Sequence, residues 1–360
     1  MSKKILTSIL GLLLTSNIAL ATEASKSVTN SDVDKLILLG IAGGPTWYGD
    51  NSPHGISSAL VVNGQAYLVD FGSGAYRQLR TAGIKPGDEK ALFITHLHSD
   101  HVIDLPALLM YDPSAKRRAK AELNIFGPGT RGQLPPVAGT ATEDTVIHSD
   151  NPVPGTSAMI DGIIGALATD LNVRVRHEGI PDIRKFYKAT DIVLPKGLDA
   201  TEQEIEVPPT EPFEVYNDDN VRVTATLVYH GQVFPSLAYR FDTKNSSVVF
   251  SGDTAASENL IRLAKDADIL VHEAIDPNWI ATIVGEKPWD DRQKALAHQL
   301  ETTHVTPLQA GEVATKAGVK TLVLSHLVPG DAPTEHWLEA KKSFKGNLIV
   351  GKDLAEIKLD

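Results

Sequence analysis

One stretch constrains this chain more than any other: Phe93-Ile94-Thr95-His96-Leu97-His98-Ser99-Asp100-His101. Three imidazoles and a carboxylate fall within six residues, directly after the apolar run Ala91 to Ile94 and just before a helix-like segment, Val102 to Tyr111. A buried strand ending in such a cluster delivers several ligands to one cleft. Neutral imidazole and carboxylate donors suit Zn²⁺ or a similar first-row ion. A polar turn has no need of H-x-H-x-D-H, which packs ligand-type side chains too densely for chance.

The same device recurs along the chain. Ser57 to Val62 and Gln65 to Phe71 read as strands joined by Asn63-Gly64, a hairpin signal. Further strands are expected at Leu36 to Gly40, Glu122 to Phe126, Val221 to Tyr229, Ser236 to Phe241, Ser247 to Phe250, Ile269 to Val271, Thr321 to Leu324 and Asn347 to Val350. Helices are expected at Ala75 to Ala82, Glu258 to Lys265, Thr306 to Ala317 and around Thr334 to Phe344. Several strands run into a histidine or aspartate: His230, Asp253 and His326 join His96, His98, Asp100 and His101. Seven ligands exceed the four that one zinc uses and suit two ions. The expected division places His96, His98 and His230 on one ion and Asp100, His101 and His326 on the other, with Asp253 between them. Two ions so placed hold a bridging hydroxide as nucleophile. Nitrogen and oxygen donors accept manganese or iron as well as zinc.

The N-terminus has the marks of an export signal. Lys3 and Lys4 precede an apolar run, Ile5 to Leu14, and Ala19-Leu20-Ala21 resembles a cleavage site. The expectation is a signal peptide over 1–21, cleavage after Ala21, no membrane anchor, and a periplasmic or secreted protein. The absence of cysteine fits an oxidising compartment and excludes disulfides, a thiolate nucleophile and zinc–cysteine sites. A net charge of −11 weighs against a polyanionic partner such as nucleic acid. Residues 22–360 are expected to form one domain. Within it, the Pro-, Gly- and Thr-rich segment at about 133–212 reads as an insertion covering the active site.

These motifs resemble the metallo-β-lactamase superfamily, and within it the branch of ribonuclease Z, periplasmic arylsulfatases and cyclic-nucleotide phosphodiesterases. The resemblance runs from about Leu36 to Lys352 without the insertion. It rests on Gly43-Gly44-Pro45, Asp70-Phe71-Gly72, Thr95 to His101, Phe126-Gly127-Pro128, His230, Ser251-Gly252-Asp253-Thr254, His272-Glu273-Ala274, His304 and Ser325-His326. It implies an α/β fold, the αββα four-layer sandwich, with two zinc ions and hydrolysis. It also implies that Glu273 orients His304, the candidate acid; with Asp100, these are the expected catalytic side chains. His298 is a weaker competitor for the acid. Only 22 residues separate His230 from Asp253, which leaves no room there for a tRNA-binding arm. The expected function is therefore an exported dinuclear-zinc hydrolase of sulfate esters or phosphodiesters, with a small-molecule ester as partner and no nucleic acid. The resemblance leaves room for a homodimer. One alternative is a lactonase or other carboxylic-ester or amide hydrolase, with Trp279, Trp289 and Tyr187 as pocket walls; another is a non-catalytic metal- or ligand-binding protein.

Overall fold

A run such as Leu36-Ile37-Leu38-Leu39 is apolar at every position, so a strand made from it must be covered on both faces. The computed structural model describes residues 33–359, except 47, 51, 112–121, 138–144 and 199–206. In it Leu36 and Leu38 pack between two sheets, while Ile37 and Leu39 pack under helices on the outside.

The described residues form fourteen strands. These are β1 (Lys35–Gly40), β2 (Ser57–Val62), β3 (Gln65–Val69), β4 (Glu89–Phe93), β5 (Leu123–Pro128), β6 (Tyr187–Ile192), β7 (Phe213–Asn217), β8 (Arg222–Leu227), β9 (Leu237–Asp242), β10 (Ser247–Phe250), β11 (Ile269–Ile275), β12 (Thr321–Val328), β13 (Asn347–Val350) and β14 (Ala355–Lys358). They make two seven-stranded sheets, ordered β14-β1-β2-β3-β4-β5-β6 and β13-β12-β11-β10-β9-β8-β7. Each sheet begins with antiparallel hairpin strands and turns parallel, at β3/β4 in the first and at β10/β11 in the second. Asn63 and Gly64 both have positive φ (49° and 74°), as a two-residue hairpin turn of the primed type requires.

Ten helices flank these sheets among the described residues: α1 (Ala75–Thr81), α2 (Ser99–Val102), α3 (Leu105–Tyr111), α4 (Thr156–Ala166), α5 (Ala168–Arg176), α6 (Glu258–Leu263), α7 (Pro277–Val284), α8 (Asp291–Thr303), α9 (Pro307–Ala317) and α10 (Thr334–Trp337). Residues of α1, α3 and α4 close the outer face of the first sheet, and α6 and α9 that of the second. The layers are thus αββα, as expected. Phe93 sits at the middle of the inter-sheet core, edge-on to Tyr239 and Phe241 at centroid distances of 5.5 and 5.1 Å. None of the described helices is long and apolar enough to cross a membrane.

Several expected elements differ. The single helix Val102 to Tyr111 is two, α2 and α3: Asp104 leaves the helix, its carboxylate accepting from the Tyr76 amide at 2.7 Å, and Pro106 restarts it. β11 and β12 run four residues beyond their expected ends, so His272, Glu273 and His326 lie within strands. The segment at 133–212 supplies α4, α5 and the edge strand β6, which pairs with β5.

The two sheets are also tied by polar contacts. Asp218, in the β7–β8 turn, accepts from the hydroxyls of Tyr67 on β3 (2.8 Å) and Tyr216 (2.7 Å), and from the amides of Asn220 and Val221. Burial alone pushes its carboxyl up, but these hydrogen bonds outweigh it and hold the group below its ordinary value. A depressed folded-state pKa stabilises above the unfolded value and is lost as pH falls through the folded one. Solvent screens this half-exposed carboxylate, so Asp218→Asn should cost about 1 kcal/mol at neutral pH. In urea denaturation the gap from wild type should close as pH drops below about 4; a gap that stays constant into acid would refute the assignment.

Candidate metal centre

The inward side chains of β4 end at Phe93, and the chain then turns over the edge of the sandwich. His96 and His98 lie on that turn, while Asp100 and His101 sit on α2, which starts immediately after His98. His230 follows β8, and Asp253 follows β10. Gly252 permits that last turn: its φ is 58°, and a Cβ would stand 2.8 Å from the Leu237 carbonyl oxygen. His326 comes from inside β12 at φ 48°, a left-handed conformation rare for a non-glycine residue. Opposite it the β11–β12 register slips between His272 and Ala274; this bulge re-aims the side chain toward the cleft.

All seven side chains meet. They form two groups, His96, His98, His230 with Asp253, and Asp100, His101 with His326. His96 Nε2 and His98 Nδ1 are 3.0 Å apart, and His230 Nε2 is 3.2 Å from His98 Nδ1. In the second group His326 Nε2 stands 3.3 Å from Asp100 Oδ2, and His101 Nε2 stands 3.5 Å from the same oxygen. Asp253 reaches both: Oδ1 is 3.4 Å from His101 Nε2, and Oδ2 is 3.3 Å from His326 Nε2 and 3.7 Å from His230 Nε2. Donors about 2.0–2.1 Å from a tetrahedral ion lie about 3.3 Å from each other. The spacings are those of ligand shells.

For the three imidazoles of the first group the electrostatics agree; in the second, burial opposes charge on His101, but the carboxylates of Asp253, Asp70 and Asp100 outweigh it and hold the imidazole above its ordinary value. Burial, then the neighbouring His101, holds His96 well below its ordinary value; burial also lowers His98 and takes His230 down to about 3. Neutral imidazole is the form that binds metal. Burial acts to raise Asp100 and Asp253, but the surrounding imidazoles, His101 and His326 foremost, hold both carboxyls below the usual range. Asp70, Asp100 and Asp253 are buried together, and among the described residues their ion-pair partners are histidines alone. His101 Nε2 and Asp253 Oδ1 are buried with no hydrogen-bond partner. Buried carboxylates with orphaned donor atoms fit a divalent cation, so these groups are able to bind metal.

The orienting residues were less visible in the sequence. Asp70 accepts from His101 Nδ1 at 2.9 Å and from the Thr95 amide at 2.8 Å, which leaves His101 Nε2 to face the cleft. His230 Nδ1 donates to the Thr303 carbonyl oxygen at 3.0 Å, with the same result. The Gly44 amide donates to Asp100 Oδ2 at 2.9 Å. The available signal for Asp70 was Asp-Phe-Gly at the end of a hairpin strand.

Glu273 and His304 also meet at the rim. His304 follows the last residue of α8, and its Nδ1 lies 2.9 Å from Glu273 Oε1, which also accepts from the Thr254 amide at 3.0 Å. Its ring centroid is 5.0 Å from that of His230. Burial opposes charge on His304, but the Glu273 carboxylate more than offsets it and brings the imidazole up to about 9. His298 bonds through its backbone carbonyl within α8. The proposed aromatic walls are elsewhere: Tyr187 is buried with its hydroxyl on the Leu108 carbonyl, and Trp279 and Trp289 pack around α7 and α8.

An αββα sandwich carrying two ligand groups joined by one carboxylate at its edge defines a class, the metal-dependent hydrolases of this fold. The chain belongs to the metallo-beta-lactamase superfamily, whose family model matches residues 52–283. Ribonuclease Z of Mycobacterium avium (strain 104) is 29% identical over 315 residues, covering 86% of this chain and 94% of its own. The solved structure of human tRNase Z, short form, covers 91% of this chain and 99% of its own, with TM-score 0.58 and 20% identity. The metallo-beta-lactamase fold protein YhfI from Bacillus subtilis gives the same TM-score and coverage at 18% identity. At these identities the two structures bear on the fold alone.

The curated relatives correct the expected function. They match nearly end to end and are named ribonuclease Z, so the expectation of an exported hydrolase acting on small-molecule sulfate esters or phosphodiesters, with no nucleic acid as partner, is overturned. The periplasmic or secreted address is overturned by the same relatives; residues 1–21, on which it rested, lie outside the described residues. Two arguments misled. Net charge is a sum over the whole surface, whereas a polyanion responds to charge within about a Debye length. The short spacing from His230 to Asp253 excludes an arm at that position and no other.

Proposed function

We propose that this chain is a zinc-dependent ribonuclease of the ribonuclease Z type, hydrolysing a phosphodiester bond in RNA, with precursor tRNA as its substrate class. The observation that carries the reading is the convergence of the seven donors on one edge of a fold whose curated relatives span its length. His96, His98 and His230 would hold one ion, Asp100, His101 and His326 the second, and Asp253 both. An imidazole-rich donor set favours zinc over magnesium or calcium. When bound, the ions supply an acidified water and an electrostatic grip on the phosphoryl oxygens. Asp70 and the Thr303 carbonyl fix the ligand tautomers. His304, held by Glu273, presents its other ring nitrogen for protonating the departing ribose oxygen. Lys116, Arg117, Arg118 and Lys120 give this acidic chain a local concentration of positive charge suited to phosphates.

The test is cleavage of a precursor tRNA by purified protein, with chelator and with zinc added back. Endonucleolytic cleavage that stops with chelator and returns with zinc is expected. A zinc-loaded protein that leaves the RNA intact would overturn the proposal.

A further inference from the structure

Next to the centre, on the side of His98 and His230, lies a cavity of about 300 Å³. Its walls include Leu97, between the first two histidines, Pro128 at the end of β5, Met159 on α4, and Gln232 and Phe234 after His230. Arg131 is the one charged residue lining it. Its guanidinium donates to the Gln232 carbonyl at 2.6 Å and, at 3.4 Å, to the Gln232 side-chain oxygen. Its Nε is buried with no hydrogen-bond partner, and among the described residues no carboxylate pairs with it. A guanidinium carries five donors, and this one has capacity to spare in a recess whose other walls are apolar except for Gln232.

We propose that this recess binds one unstacked base of the RNA, that of a nucleotide flanking the scissile phosphodiester, with Arg131 donating to the base's acceptor edge. The inference rests on the ribonuclease reading above and names a subsite for it. Single-stranded bases are taken up in this way, on aromatic and apolar surfaces with hydrogen bonds at their edges. A base has acceptors for the Nη donors that the Gln232 contacts leave over, a flat face for Phe234, Pro128 and Met159, and a backbone that leads to the adjoining metal centre. Since Met159 belongs to the 133–212 segment, that segment would act in substrate choice.

A double-mutant cycle tests the pairing. Wild type and Arg131→Gln are compared on intact precursor tRNA and on the same RNA made abasic at either nucleotide flanking the cleavage site. Wild type should lose roughly tenfold in KM on one of the abasic substrates. Arg131→Gln should lose about the same on intact RNA, and little further on that abasic substrate. Equal losses by the variant on both would make Arg131 a brace for the Gln232 loop and overturn the subsite, as would wild-type indifference to both abasic positions. The wild-type arm decides even if the variant does not fold. Failure of wild type to cut any RNA while it hydrolyses an activated aryl diester would defeat the ribonuclease reading, and the subsite with it; RNA cleavage without base dependence defeats the subsite alone.

Discussion

Asp253→Ala is expected to lower phosphodiester hydrolysis by at least about a thousandfold and to leave fewer than two metals per chain. Asp253 is the only one of the seven donors within 3.8 Å of members of both groups through its carboxylate oxygens, on His96 and His230 at one side and His101 and His326 at the other. Removing it leaves two sets of three donors with no shared anion. The charge stabilisation at stake is several kcal/mol, and each 1.36 kcal/mol is a factor of ten in rate. Metal content by elemental analysis, alongside turnover, checks both halves of the expectation. Full activity in the variant would refute a centre organised through this carboxylate.

His304→Ala should separate substrates by their leaving groups. Positioned general acids contribute about 10²–10⁴-fold, and that benefit is needed when a ribose alkoxide departs, far less when a nitrophenolate does. The variant should therefore lose most of its activity on RNA and much less on an activated aryl diester. Glu273→Gln should follow the same split in weaker form, because Glu273 acts only through the His304 ring. Equal losses on the two substrates would remove His304 from the acid role and leave it a packing neighbour of His230.

The first four candidate donors are legible because they share one hexapeptide and a single apolar run leads into it. His230, Asp253 and His326 were legible through another regularity: each follows or ends an apolar stretch at a point where a strand should stop. What the sequence hid was how they are aimed. The bulge that turns His326 inward depends on register against β11, a relation between distant segments with no local signature. α8 went unseen for a different reason. Only Ala297 and Thr303 are buried on it, so it has no apolar stripe; the capping box of Asp290 and Gln293 was the one signal that it begins there. The edge strands β7 and β14 are short and half exposed, and so lack a run of apolar residues. Asp70 falls within the expected strand Gln65 to Phe71, and nothing in Asp-Phe-Gly says that its carboxylate will reach His101. The substrate is not legible at all, since donors able to bind metal say nothing of what a phosphoryl or sulfuryl group is attached to. On the subsite proposal, that information lies in walls such as those around Arg131, built from four separated segments.

The donors are divided between the sheets: His96, His98, Asp100 and His101 issue from the first, His230, Asp253 and His326 from the second. Neither half of the chain holds enough of the set to make the centre alone. A cation bound there is a rivet driven through both layers, and its binding energy becomes cohesion between them. An assembled centre is then a certificate of complete folding: a chain that has formed one sheet and misplaced the other cannot gather the seven donors.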